Sequence, residues 1–172
     1  VSEQWVSNHV RNTLSRQLEK YALTIRMTRH RILLSGREQN KREYVISKLI
    51  VGERLTDYLT VSETLMPDFQ ARLGQCLLQL LQENHITLDD IFLKNLEVFL
   101  WVSFARCAGK HFLEDDKDTV TMPELGDGRI ARDICARLCE ATGVPLGEHD
   151  FPNVCRGIDE YIRSSISEDT QN

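Results

Sequence analysis

The chain has 172 residues, 41% of them hydrophobic and 27% charged, with a net charge of −5. That length fits one compact domain with short extensions, and the composition is that of an ordinary globular protein. The acidic balance argues against coating nucleic acid by bulk electrostatics. No apolar run reaches the roughly 18 residues that a membrane span needs. No stretch resembles a signal peptide, and the five cysteines, at 76, 107, 135, 139 and 155, are odd in number. Four of them lie in apolar helical patterns, which points to free core thiols in a reducing cytoplasm rather than a disulfide framework. The first residue is Val1, not Met, and the chain reads as a piece of a longer protein.

In chain order, residues 2–22 carry the first helical pattern, with Trp5, Val6, Val10, Leu14, Leu18 and Tyr21 on one stripe and Ser2 placed to cap it. Residues 23–35 change period. Leu23, Ile25 and Met27 alternate with polar residues, and Ile32 and Leu34 do the same after a polar turn, which predicts a small β-hairpin. Six basic residues against one acid lie between Arg26 and Arg42, so the remainder of the chain is strongly acidic. This basic stretch suits a nucleic-acid contact, a solvated surface or a contact for an acidic neighbouring domain; it lacks the aromatic interleaving that would single out the first.

Residues 37–57 predict a helix with Tyr44, Val45, Leu49, Ile50 and Leu55 inward, and residues 67–84 another with Phe69, Leu73, Cys76, Leu77, Leu80 and Leu81 inward. A short connection follows, and Thr87 takes the N-cap role ahead of Asp89 and Asp90. The long helix that they open holds the stretch 93–113. Leu93, Leu96, Leu100 and Phe104 recur at helical spacing, and Phe92, Phe99, Val102 and Ala105 widen the stripe to nearly half the circumference. A helix so apolar must be covered on more than one side, so it is the central helix of an all-α bundle. It carries one interior cation, Arg106, and stops at Gly109, a suitable C′ residue. An acidic loop, 113–118, leads to a helix over 122–142 interrupted by Gly126-Asp127-Gly128 and ending at Gly143. The last helix spans 150–163, and residues 164–172 form a polar tail. Two antiparallel pairs are expected, 67–84 with the central helix and 122–142 with 150–163. The domain plan is a leader helix and hairpin over 1–35, serving as linker to an N-terminal domain outside the chain, then a bundle of about five helices over 36–163.

No constellation of catalytic residues emerges. No serine lies in a nucleophile elbow, the glycines do not form a phosphate loop, and no His/Cys/Asp set has catalytic or metal-ligand spacing. His9 and His30 read as surface residues, His85 and His149 sit in turns, and His111 is at a helix end. The chain is therefore read as non-catalytic, without cofactor, metal or small-molecule substrate.

Three stretches together resemble the PTS regulation domain, an all-helical module of bacterial antiterminators and transcription activators governed by the sugar phosphotransferase system. Residues 77–112 look like the segment in which a short turn leads into a long helix with an Arg seven residues after a His and a Gly near the end; Leu96, Leu100, Arg106 and Gly109 fit. Residues 126–158 are similar to a second segment, with Ala131, Ile134, Leu138, Gly143, Leu146, Asp150 and Phe151 in register. Residues 32–45, ILLSGREQNKREYV, resemble an I-x-L-x-G-x-E-x-x-x-R segment that joins DNA-binding domains to the first such module. The resemblance implies dimerisation, control by histidine phosphorylation from the phosphocarrier HPr or enzyme II components, and a DNA-binding rather than RNA-binding domain elsewhere. The positions that match the family's histidines hold Phe99 and Gly157, neither of which accepts phosphate. His111 and His149 are the nearest replacements. The dimer surface is expected on the polar–apolar border of helices 37–57 and 93–109, where a charge at Leu49 or Trp101 would test it. The competing reading is a helical protein–protein interaction module unrelated to sugar transport.

Overall fold

The computed structural model describes residues 12–27, 32–51, 68–114 and 128–169. Among them are six helices and one two-stranded antiparallel sheet, as the hydrophobic periods predict. Helical residues 12–19 (α1) are followed by β1 (Thr24–Met27) and β2 (Ile32–Ser35). Then come α2 (Glu38–Ile50), α3 (Asp68–Glu83), α4 (Asp90–Ala108), α5 (Gly128–Thr142) and α6 (Asp150–Asp169). The hairpin register runs from Thr24 opposite Ser35 to Met27 opposite Ile32. Gly36 follows it with φ +151°, and a Cβ there would stand 2.6 Å from Leu23 Cδ2, so glycine is required for the chain to turn closely past Leu23.

Helix α4 is the middle layer. Leu96, Leu100, Phe104 and Cys107 face one core, built with α3, α5 and α6 around Leu73, Leu77, Ile134, Leu138, Val154 and Ile158. Val102 and Ala105 face a second core, made with Leu18, Leu23, Tyr44, Val45 and Leu49. Trp101 packs against both. Two-sided burial explains why the apolar stripe of α4 is too wide for a surface helix. It also means that α1 and the hairpin are packed into the domain through Leu18 and Leu23, both buried. α5 packs along α6 and against α3, while α3 makes lighter contact with α4, which is covered by α2 and α6.

Tight turns close several of these helices. Helices α1, α3 and α4 each end with a non-glycine residue in the left-handed region, Ala22, His85 and Lys110. At each end the following amide reaches back to the last turn: Leu23 N–H to Leu18 O, Ile86 N–H to Leu81 O and His111 N–H to Arg106 O. These are Schellman closures, which satisfy the last carbonyls of the helix.

Several local expectations are corrected. Asp89, not Thr87, caps α4, its carboxylate accepting from Phe92 N–H at 2.9 Å. An Asp one turn ahead of a free amide outcompetes the earlier Thr. At the other end Gly109 has φ −81° and the left-handed residue is Lys110; Gly109 instead leaves room for the His111 ring, 3.1 Å from where its Cβ would be. The final helix continues past 163 to Asp169, through most of the expected tail. Leu49 is buried in the second core, and Trp101 is half-buried between the two. α2 ends at Ile50 with Val51 as its C-cap, short of the expected 57, and the expected turn over 28–31, residues 52–57 and the glycine break at 126–127 lie outside the described residues.

The two positions that match the family's histidines meet. A Cβ on Gly157 would stand 2.5 Å from Phe99 Cζ, so the aromatic ring occupies the space that the glycine leaves on α6. Gly157→Ala adds helix propensity but forces the ring out of place. It is expected to lower stability by about 1–2 kcal/mol in urea unfolding, the overpacking cost less the propensity gain. In a Phe99→Ala background the same change is expected to stabilise; a gain in the wild-type background would contradict the contact.

Candidate functional site

Four charged side chains from three helices meet where the two cores join. Glu38 and Arg42 lie one turn apart on α2, Arg106 is in the last turn of α4, and Asp150 opens α6. Glu38, Arg42 and Asp150 are 5%, 2% and 0% exposed. Arg106 holds Glu38 with two bonds, Nε to Oε1 at 2.7 Å and Nη2 to Oε2 at 2.9 Å. Arg42 Nε donates to the same Oε1 at 3.2 Å, its Nη1 to Asp150 Oδ1, and its Nη2 to His111 O at 2.8 Å. Asp150 Oδ2 accepts Leu113 N–H at 3.0 Å. Two cations thus balance two carboxylates, and Arg42 spends donors on α2, on α6 and on the main chain after α4.

Local sequence explains the convergence. Glu38 and Arg42 share a helix face by their i,i+4 spacing. The turn 143–149 brings Asp150 back over α4, and within it Gly147 has no side chain where one would meet Asp150 Oδ2 at 2.6 Å and the Phe112 ring at 2.8 Å. Charges in this setting need their partners. Desolvation offsets much of the attraction, yet removing one member of a buried pair costs about 3–5 kcal/mol because it strands the other.

The environment shifts the titrating groups. Burial works against the Glu38 carboxylate, but the hydrogen bond and charge of Arg106, with Arg42 behind them, hold it below its ordinary 4.5. Burial also works against Arg42, and the charge and hydrogen bond of Asp150 outweigh it, so the guanidinium is held more firmly charged. Burial pushes the Cys107 thiol up to about 11, with the Gly147 N–H opposing and Asp150 adding, so Cys107 remains a thiol beside the cluster. The exposed His111 ring is pushed below 6.5 by partial burial and then by Arg106, with Lys41 and Arg42 adding and Glu38 opposing.

Of the residues singled out in the sequence, Arg106 is in the cluster. His111 contributes its carbonyl while its imidazole faces outward, and His149 lies in the turn just before Asp150. Phe99 and Gly157 are against each other in the first core, apart from the cluster. Arg42, one of the six basic residues of 26–42, is buried. Sequence reasoning missed the roles of Glu38, Arg42 and Asp150. The available signal was the Glu-x-x-x-Arg spacing, which places opposite charges on one face. No protein-family model matches the chain, and no curated protein matches it.

Because Glu38 titrates lower in the folded chain than its ordinary value, its contribution to stability is present above pH 4.5 and is lost as the pH falls through the lower folded value. Urea midpoints measured from pH 7 down to pH 3 are expected to fall steeply at the acid end for the wild type. Glu38→Gln should be less stable at neutral pH and lose less over the same range. Parallel profiles for the two proteins would contradict this.

Proposed function

We propose that this chain is a regulatory, non-catalytic domain of the PTS regulation domain kind, which dimerises and relays a sugar-transport signal to a nucleic-acid-binding domain outside the chain. One observation carries the reading. Each of the three stretches that resemble the family supplies a charged residue to the same buried cluster: Glu38 and Arg42 from 32–45, Arg106 from 77–112 and Asp150 from 126–158. Arg42 and Asp150 stand 108 positions apart in the sequence. Chance likeness of helix periods gives no reason for their charged positions to meet.

In this proposal the cluster is the relay. α2 follows the hairpin that leads toward the N-terminal side, and Arg42 fastens α2 to α6 and to the chain after α4. Phe99 and Gly157 cannot carry phosphate, so a signal received here by phosphorylation must use another histidine. His111 suits that role better than His149. Its ring is exposed and pushed toward the neutral form, which carries a ring nitrogen lone pair for attack, and Lys41 adds positive charge nearby for an added phosphate.

The test is incubation with phosphoenolpyruvate, enzyme I and HPr, read by intact mass, with sedimentation on the same sample. A single phosphate that is lost in His111→Ala, on a dimeric chain, makes the domain a direct sensor. A dimer that takes no phosphate makes it a scaffold that relays signals received elsewhere. A monomer that takes no phosphate contradicts the proposal and favours an interaction module outside the phosphotransferase system.

A further inference from the structure

The β-hairpin takes no part in the buried cluster. Among the described residues its strands pair only with each other: the sheet has two strands, and no main-chain hydrogen bond joins β1 or β2 to another element. One face is covered. Ile25 stands opposite Leu34, and both pack on the second core. The other face is open. Thr24, Arg26, Leu33 and Ser35 are exposed, and Arg26 stands opposite Leu33, which is 40% exposed. Such a sheet presents main-chain donors and acceptors along its outer edges.

The two edges differ. β1 carries Arg26, and charges of this kind protect edge strands against pairing, whereas β2, Ile-Leu-Leu-Ser, carries none. The charge around β2 is of one sign. Glu38 is the one acid between Arg26 and Arg42, and Glu38 and Arg42 are both taken into the buried cluster. The other charged residues of that stretch are Arg26, Arg29, Arg31, Arg37 and Lys41. Arg37, two positions past the end of β2, already holds an exposed acid, with Glu114 Oε2 at 3.9 Å from its Nε.

We infer that the edge of β2 takes an extended acidic segment of a partner protein as a third strand. Main-chain hydrogen bonds supply the attachment, and the side chains on the two faces supply the selection. A residue of the added strand opposite Leu34 faces the second core and is apolar. One opposite Leu33 lies on the outer face, about 10 Å from β1, a gap that an acidic side chain and the long side chain of Arg26 close together. The partner strand therefore alternates apolar and acidic residues. A second copy of this chain fits less well, because β2 laid against β2 sets two basic stretches side by side. The site needs no link to sugar transport.

The full chain is titrated with a blocked seven-residue peptide of alternating Val and Glu, followed by calorimetry and by amide chemical shifts. Saturable binding is expected, with the shifts centred on residues 32–35. The same peptide with Lys for Glu should bind about ten times more weakly, as should the Glu peptide on Arg26→Glu, an exposed change expected to leave the urea midpoint in place. Methylating the main-chain nitrogens that face β2 should abolish binding. No binding up to roughly 1 mM, equal binding of the Lys peptide, or equal binding of the methylated peptide overturns the site. Shifts centred away from the hairpin do the same. Self-association of the free chain that is lost in Leu33→Glu gives the edge to a second copy and overturns the acidic partner.

Discussion

A guanidinium buried to 2% exposure is the constraint on which the rest of this structure depends. Arg42 cannot shed its proton, so the fold must surround it with acceptors or not form. The acceptors come from three places: Glu38 on its own helix, Asp150 at the head of α6, and the His111 carbonyl just beyond α4. Each carboxylate is then completed by a further donor, Arg106 for Glu38 and the Leu113 amide for Asp150. A hydrophobic contact between the same layers would tolerate sliding. This set of directed bonds fixes one angle and one register between α2, α4 and α6.

The remainder of the architecture brings those groups to one point. α4 is buried on two faces, so it serves as the wall between two cores, and its last turn delivers Arg106 to the seam. The Schellman closure at Lys110 then folds the chain back so that His111 O and Leu113 N–H face Arg42 and Asp150. Gly147 allows the turn before α6 to lie close to Asp150. If the domain relays a signal, the path is short: a change in the turn 144–147 reaches Asp150, then Arg42, then α2.

Periodicity made much of this legible in advance. The switch from period two to helical spacing at Gly36 marks the hairpin and α2, and the over-wide stripe of α4 marks the central helix. The caps were less legible because they are decided by competition between neighbours. Thr87 and Asp89 can both cap, and only the path of the chain selects Asp89. Gly109 and Lys110 can both take the left-handed turn, and the His111 ring claims the space beside the glycine. The ion cluster was the least legible. Arg42 sits among basic residues and looks like one more surface charge, and its partner Asp150 is far away in sequence. Helical spacing pairs Glu38 with Arg42, but no local rule joins them to α6. The Phe99–Gly157 contact has the same character: nothing in the local sequence of either residue says that the two share one space.

The central claim is that the cluster binds the layer of α1, the hairpin and α2 to the layer of α3–α6 as one cooperative unit. Native-state hydrogen exchange on the unmodified chain tests it most directly. The account predicts that the most protected amides of α2, of the last turns of α4 and of the α6 turns beyond its first open with one common free energy, close to that of global unfolding. Opening of α2 together with the hairpin at a clearly lower free energy, while α4 and α6 stay protected, would contradict it.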